Sequence, residues 1–357
     1  MFVFLLLFLM IWVLYNIYGK VWIDNANYHS DAAMYTRRRT AFMCIGVYMF
    51  ALVAFRATEV GVDTSSYQWT LDRQNIASLK GALSFDFYSE SGYKLIQYFA
   101  LKSGFGIRGI IVLEACVFLL PILHFIYKYS ENPFLSLFYF ITLDYYFFSM
   151  SGIRQSMAIG ICLIAFELAL NKKTLLFVVL VLVATSIHST AIIFLPIVFL
   201  RRLLIKKEYI YIFIAIGAVV FLFKRPLSVF IRQYSRNYYA DMNTGGSGMY
   251  IYLLLAALMV LLSSDKMWNE KVGQNAIAYM VIIAVILYPV LQFNPSLFRL
   301  HYYYSIASIV YIPNGLRKIP DARIRLIGSI FFFAVAAYYF LEYTCKNMAV
   351  IPYSFGF

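Results

Sequence analysis

The sequence predicts an all-α polytopic membrane protein of about 12 transmembrane helices, on three observations. Hydrophobic residues make up 62% of the 357 and charged residues only 13%, where a soluble domain carries about 25% charged. Apolar runs near the roughly 20 residues that cross a bilayer's hydrocarbon core recur from end to end. Lys and Arg gather in the short connections between those runs, as they do in cytoplasmic loops. A mean hydropathy of +0.75 agrees. Runs such as Phe2 to Tyr15 and Tyr250 to Leu262 are apolar all round, which excludes a barrel of alternating strands.

Spans are expected at about 1–18, 40–57, 109–127, 133–149, 152–170, 174–187, 189–205, 208–223, 249–264, 274–293, 297–316 and 326–343. No basic n-region opens the chain and no small-residue cleavage site precedes Lys20, so the first segment is expected to remain as a span. Without repeats or low-complexity tracts, residues 1–357 form a single membrane domain. Cys44, Cys116, Cys162 and Cys345 have neither metal-ligand nor redox spacing and are expected to be small core residues. The net charge of +13 fits cationic loops facing anionic lipid, not nucleic acid.

Basic clusters at Arg37–Arg39, Lys172–Lys173, Arg201–Lys207 and Arg317–Arg325 belong inside. The stretch Thr174 to Leu204 must then cross twice as two short helices, turning near His188 at the outer face. The same rule puts 59–108 outside as a loop in which Tyr93 to Ser103, too short and polar to span, is an interfacial or re-entrant helix. Lys224 to Gly248 also falls outside. Its Arg225, Arg232 and Arg236 run against the rule, so that loop marks either a fault in this topology or a place that attracts anions.

Three inward-running spans open on polar or basic groups: Ser151-Gly152-Ile153-Arg154-Gln155, His188-Ser189-Thr190-Ala191 and Asn294-Pro295-Ser296-Leu297-Phe298-Arg299. Helix N-termini favour anions, so a cation in the first turn is disfavoured unless an anion lies nearby. Arg154 and Arg299 are therefore candidate diphosphate ligands, because the guanidinium fork suits phosphate oxygens. The plainer alternative has them snorkel to headgroups or pair with Asp144 or another acid. His188 is either a structural turn residue or a hydrogen-bonding and proton-moving group. With no second His at i+4 and no Cys/His cluster, no metal site is expected.

The outer segment carries Gly61-Val62-Asp63-Thr64-Ser65-Ser66-Tyr67 and Glu90-Ser91-Gly92-Tyr93, whose two carboxylates are candidate bases toward a hydroxyl. Aromatic residues, 19% of the chain, form runs such as Tyr302-Tyr303-Tyr304. They suit sugar stacking, an interfacial belt, or bundle packing. Glu114, a costly acid within a span, is the residue a transporter would use.

Together these motifs, with Ala158, Ala191 and Pro313, resemble the successive signatures of the EpsG family of Wzy-type exopolysaccharide and O-antigen polymerases, in order along nearly the whole chain. Ser91 stands where members usually have Pro. The resemblance implies a fold related to the GT-C glycosyltransferases. It also implies polymerisation of undecaprenyl diphosphate-linked repeat units at the outer face of the bacterial cytoplasmic membrane, without cofactor or metal. Arg154, Arg299 and Arg56 would neutralise the departing diphosphate. Asp63 or Glu90 would be the base, His188 would orient or protonate, and Gln155, Tyr67, Tyr93 and Tyr303 would contact substrate. The implied partners are lipid-linked oligosaccharide donor and acceptor, membrane lipids and a chain-length regulator.

The rival reading is a flippase for the same lipid-linked oligosaccharides. Transporters bind near the midplane between repeats, whereas here the polar groups gather at one face without a repeat. A membrane acyltransferase is disfavoured by the lack of inward-facing polar residues, and a hydrolase by the lack of a nucleophile motif such as G-x-S-x-G.

Overall fold

The computed structural model describes residues 2–19, 32–73, 78–84, 90–200, 207–234, 252–256, 272–291, 298–344 and 348–356. Among them are helices, turns and one isolated bridge, Arg56 to Phe355, but no strand. Most of the span expected at 249–264, and Asn294 to Leu297, lie outside the described residues.

The helices are α1 (Phe2–Leu14), α2 (Ala32–Ala54), α3 (Thr64–Asp72), α4 (Leu79–Leu83), α5 (Ser91–Lys102) and α6 (Gly106–Tyr129). They continue as α7 (Pro133–Thr142), α8 (Tyr145–Ser151), α9 (Ile153–Leu170), α10 (Thr174–Ile187) and α11 (Ile197–Leu200). The last are α12 (Lys207–Leu222), α13 (Lys224–Tyr234), α14 (Val272–Leu291), α15 (Tyr302–Ser305), α16 (Ser308–Lys318) and α17 (Ala322–Tyr339).

Four described helices are long and apolar enough to cross a membrane: Gly106–Tyr129, Ile153–Leu170, Gly273–Leu291 and Ala322–Glu342. Shorter apolar helices accompany them, several cut short by identifiable residues. The expected span 133–149 divides where Asp144 adopts the left-handed conformation, φ 75°, and its carboxylate accepts from Tyr302 Oη at 3.1 Å. The segment after His188 begins as a 3-10 turn, Ser189–Phe194, and re-forms as α11 only beyond Pro196, which supplies no N–H and crowds the preceding turn. Local caps mark other boundaries. Asn132 accepts from Leu135 N at 3.2 Å ahead of Pro133, and Asp321 accepts from Arg323 N and Ile324 N at 2.7 and 3.0 Å, each satisfying amides that a helix start leaves unpaired.

The connections place chemistry at opposite ends of the bundle. At one end, the Asn314 amide donates to Tyr129 O at 2.7 Å and to Gln274 Oε1 at 3.1 Å, and Arg317 pairs with Glu131 at 3.6 Å. This is the basic end, where α16 meets α17. At the other end lie the starts of α9, α3 and α5 and the turn at His188. The expected helix at 93–103 is α5, packed on α6 and α10; the short helices α3 and α4 precede it where the sequence predicts only a loop. The C-terminal tail returns to this end as well, Ala57 N bonding Ser354 O at 2.9 Å and Gly61 N bonding Ala349 O at 3.1 Å.

Candidate functional site

Gly61 fixes the first element of the site. Its φ is +99°, and a Cβ there would lie 2.1 Å from Met150 O, so only glycine makes this turn at this approach. Thr64 Oγ1 donates to Met150 O at 2.9 Å, and Val62 N donates to Ser151 Oγ at 3.0 Å. The turn is thereby pinned to the end of α8. Asp63 occupies the N-cap position of α3 without capping it; its carboxylate instead meets Arg299 at 3.1 Å.

Glu90 repeats the arrangement at the N-cap of α5, again without capping its own helix. Its carboxylate accepts from Arg154 at 2.9 Å and from Ser189 N and Oγ at 3.3 and 3.1 Å. His188 Nδ1 stands 3.7 Å away. Gly92 permits this, since it sits against the backbone of Ser186 where α5 crosses the end of α10.

The two pairs belong to one network. The Gln155 amide, next to Arg154, donates to Arg299 O at 2.6 Å. Arg154 lies over the Tyr93 ring at 5.5 Å, and Tyr67 meets that ring edge-on at 5.9 Å. Arg299 lies over Phe148 at 5.5 Å. Tyr303 Oη and Thr190 Oγ1 share a hydrogen bond of 3.2 Å, Thr190 standing two residues after His188. Asp63, Glu90, Arg154, Gln155, His188, Arg299, Tyr67, Tyr93 and Tyr303 thus gather at one end of the bundle.

Arg56 does not join them. It is fully buried with Glu114, 3.5 Å away, and donates to Val53 O at 2.6 Å. The family resemblance implied a diphosphate ligand here, but Arg56 and Glu114 partner each other within the bundle. The same pairing accounts for Glu114 without transport. Ser189, Thr190 and Ser151 contribute bonds that residue type alone does not single out, although the first two lie in the His188 motif and Ser151 opens the Arg154 motif.

The pairs differ in openness. The Arg299 and Asp63 side chains keep 43% and 33% of their surface exposed, those of Arg154 and Glu90 only 19% and 8%. Burial by itself would raise the Glu90 carboxyl; the Arg154 charge and the Ser189 amide outweigh it and hold Glu90 below its ordinary value. Burial, reinforced by the Arg154 charge, pushes His188 down to about 4. His188 is therefore neutral near pH 7, able to give or accept a hydrogen bond but not to serve as a resident acid. Among the described residues, no group of three His, Cys, Asp or Glu side chains is placed to hold a metal ion.

A bundle of apolar helices carrying two arginine–carboxylate pairs and buried tyrosines at one end is that of a polytopic membrane protein. Within that class the chain belongs to the EpsG family, whose family model matches residues 39–355. The family is of the Wzy-like polymerase type, which makes this an exopolysaccharide polymerase-like membrane protein with a glycosyltransferase-type role. No curated protein and no solved structure matches the chain.

Proposed function

We propose that this protein, with about 12 spans in the bacterial cytoplasmic membrane and its site facing outward, transfers a growing glycan from undecaprenyl diphosphate to a hydroxyl of another lipid-linked repeat unit. The observation that carries the reading is the convergence of two arginines, two carboxylates and a neutral histidine on one end of the bundle, opposite the basic end. The acceptor oxygen attacks the donor's anomeric carbon, the bond from that carbon to the diphosphate oxygen breaks, and the diphosphate leaves with the electron pair. Arg154 and Arg299 neutralise the charge that develops there.

The hydroxyl proton goes to Asp63. It is the more exposed of the two acids, and it is released when the diphosphate takes over Arg299. Glu90, held low and bonded on three sides, is the poorer proton acceptor; it positions Arg154 and the Ser189 turn. His188 hydrogen-bonds substrate as a neutral imidazole. Tyr67, Tyr93, Gln155 and Tyr303 shape the walls for sugar and diphosphate. The leaving group arrives activated, so the step requires no nucleotide or metal.

The test is polymer length formed from purified protein and lipid-linked repeat units in nanodiscs. Arg154→Lys and Arg299→Lys keep the charge but lose the two-pronged fork, and we expect both to fold yet extend the polymer poorly, with Ala variants worse. Wild-type extension by both Lys variants would refute the diphosphate clamp.

A further inference from the structure

We propose a second lipid site at the basic end of the bundle, which binds a phospholipid with an anionic headgroup from the adjoining leaflet. An apolar groove of about 560 Å³ runs between α1 and α17 over a floor formed by α7, a size typical of small-molecule sites, which span about 300–1,000 Å³. Ile11 and Trp12 line one wall, Ile330 and Phe333 the other, and Phe138 the floor, where its ring stacks on Phe333 at 4.7 Å. Toward the end that holds the two arginine–carboxylate pairs the walls meet, the Phe8 and Phe340 rings lying 5.4 Å apart. That contact closes the groove on one side, while Tyr15 and Ser329 line it toward the basic end.

A smaller pocket of about 170 Å³ continues it there, sharing Tyr15, Leu135 and Ser329, with Arg317 and Arg325 in its wall. One chemistry fits an apolar slot that ends on two guanidinium groups: a hydrocarbon chain joined to a phosphate. Arginine forks suit phosphate oxygens, and basic pockets between membrane helices receive anionic headgroups. Arg317 also pairs with Glu131 at 3.6 Å, and Arg325 donates to Ile319 O at 3.1 Å, so both guanidinium groups are braced at the mouth. Charge complementarity selects an anionic over a zwitterionic lipid. The site stands at the opposite end from the two arginine–carboxylate pairs and does not depend on the proposed transfer reaction.

The experiment is native mass spectrometry of the purified full chain from mixed micelles of phosphatidylglycerol or phosphatidylcholine with matched acyl chains. The wild type is expected to retain phosphatidylglycerol over phosphatidylcholine by roughly 25-fold, each of the two basic groups near the headgroup being worth roughly fivefold. Arg325→Gln removes a mouth charge and Ser329→Trp fills the groove; both are expected to lose the retained lipid while thermal unfolding confirms that they fold. Arg323→Gln removes an exposed charge that does not line the pocket and is expected to keep it. Equal retention of the two lipids, retention by Ser329→Trp, or equal losses for Arg323→Gln and Arg325→Gln would overturn the site.

Discussion

Gly92→Ala adds one methyl group where α5 crosses the end of α10. The new Cβ would lie 2.3 Å from Ser186 Oγ, 2.8 Å from Ser186 O and 2.9 Å from Ser186 C. The hydroxyl can rotate away, but the carbonyl belongs to the last turn of α10 and cannot. To reach the 3.4 Å at which ordinary contacts begin, α5 must retreat by about 0.6 Å. Overpacking of this kind costs about 1–3 kcal/mol. The helix preference of Ala over Gly returns at most about 1 kcal/mol in a helix interior, so the expected net loss is about 1–2 kcal/mol.

The consequence for chemistry exceeds the consequence for stability. Glu90 lies two residues before the new methyl group, and its bonds to Ser189 N and Oγ are already 3.3 and 3.1 Å long. The retreat breaks them and loosens the carboxylate that positions Arg154. Misplacing a reacting constellation by about 1 Å costs about 100-fold in rate, so a shift near half that is expected to cost about 10-fold. Polymer formation in nanodiscs and thermal unfolding in detergent measure the two effects. Adding Ser186→Gly removes the hydroxyl but not the carbonyl, and should not rescue. Wild-type turnover in Gly92→Ala, or full rescue by Ser186→Gly, would refute the claim that backbone contact sets this distance.

Asp63→Asn is expected to lower turnover by about 100-fold or more, as loss of a general base does, while lowering KM for the lipid-linked donor because Arg299 no longer has a competing carboxylate; a raised KM would contradict the exchange. Glu90→Gln leaves Arg154 largely buried without its counterion, so it should cost about 3 kcal/mol of stability as well as turnover, read by thermal unfolding beside the same assay. His188, held near 4 against an ordinary 6.5, is protonated in the unfolded chain but not the folded one between those values. Its contribution to stability is therefore lost as pH falls from about 6.5 toward 4, and unfolding temperatures across that window should decline less steeply in His188→Asn.

Hydropathy made the helical membrane class legible, because apolar runs and basic loops are properties of single segments. It also marked the turn at His188 and the helix at 93–103, where charge left too few residues to span. It did not mark the break at Asp144, since a left-handed residue stabilised by Tyr302 depends on a partner 158 positions away. The return of Ala349 to Gly356 onto the outer segment has no local signal either. At the site, the arginines stood out through their expected places beside helix starts and the acids as carboxylates of the outer segment, but their pairing spans 64 and 236 positions and no spacing rule reaches that far. Asp144, weighed as an arginine partner, accepts from Tyr302 instead.

The pairing itself explains how Arg154 can sit in the first turn of α9, where the backbone dipole disfavours a cation. Each arginine has a carboxylate from the segment 61–92 set against it, so each resident pair is close to neutral. On the proposed reading, a diphosphate gains affinity only by the difference between itself and the carboxylate it displaces. The half-exposed Asp63 is the one it displaces more readily; Glu90, gripped by Ser189 as well as Arg154, stays. Donor arrival at Arg299 then frees the base that the acceptor needs, while Arg154 remains fixed for the departing charge. With the donor absent, Asp63 stays engaged with Arg299, and a hydroxyl or water entering first meets no free carboxylate. On the proposed reading, two pairs of unequal openness thereby impose an order, donor before proton transfer, that a site with unpaired arginines would lack.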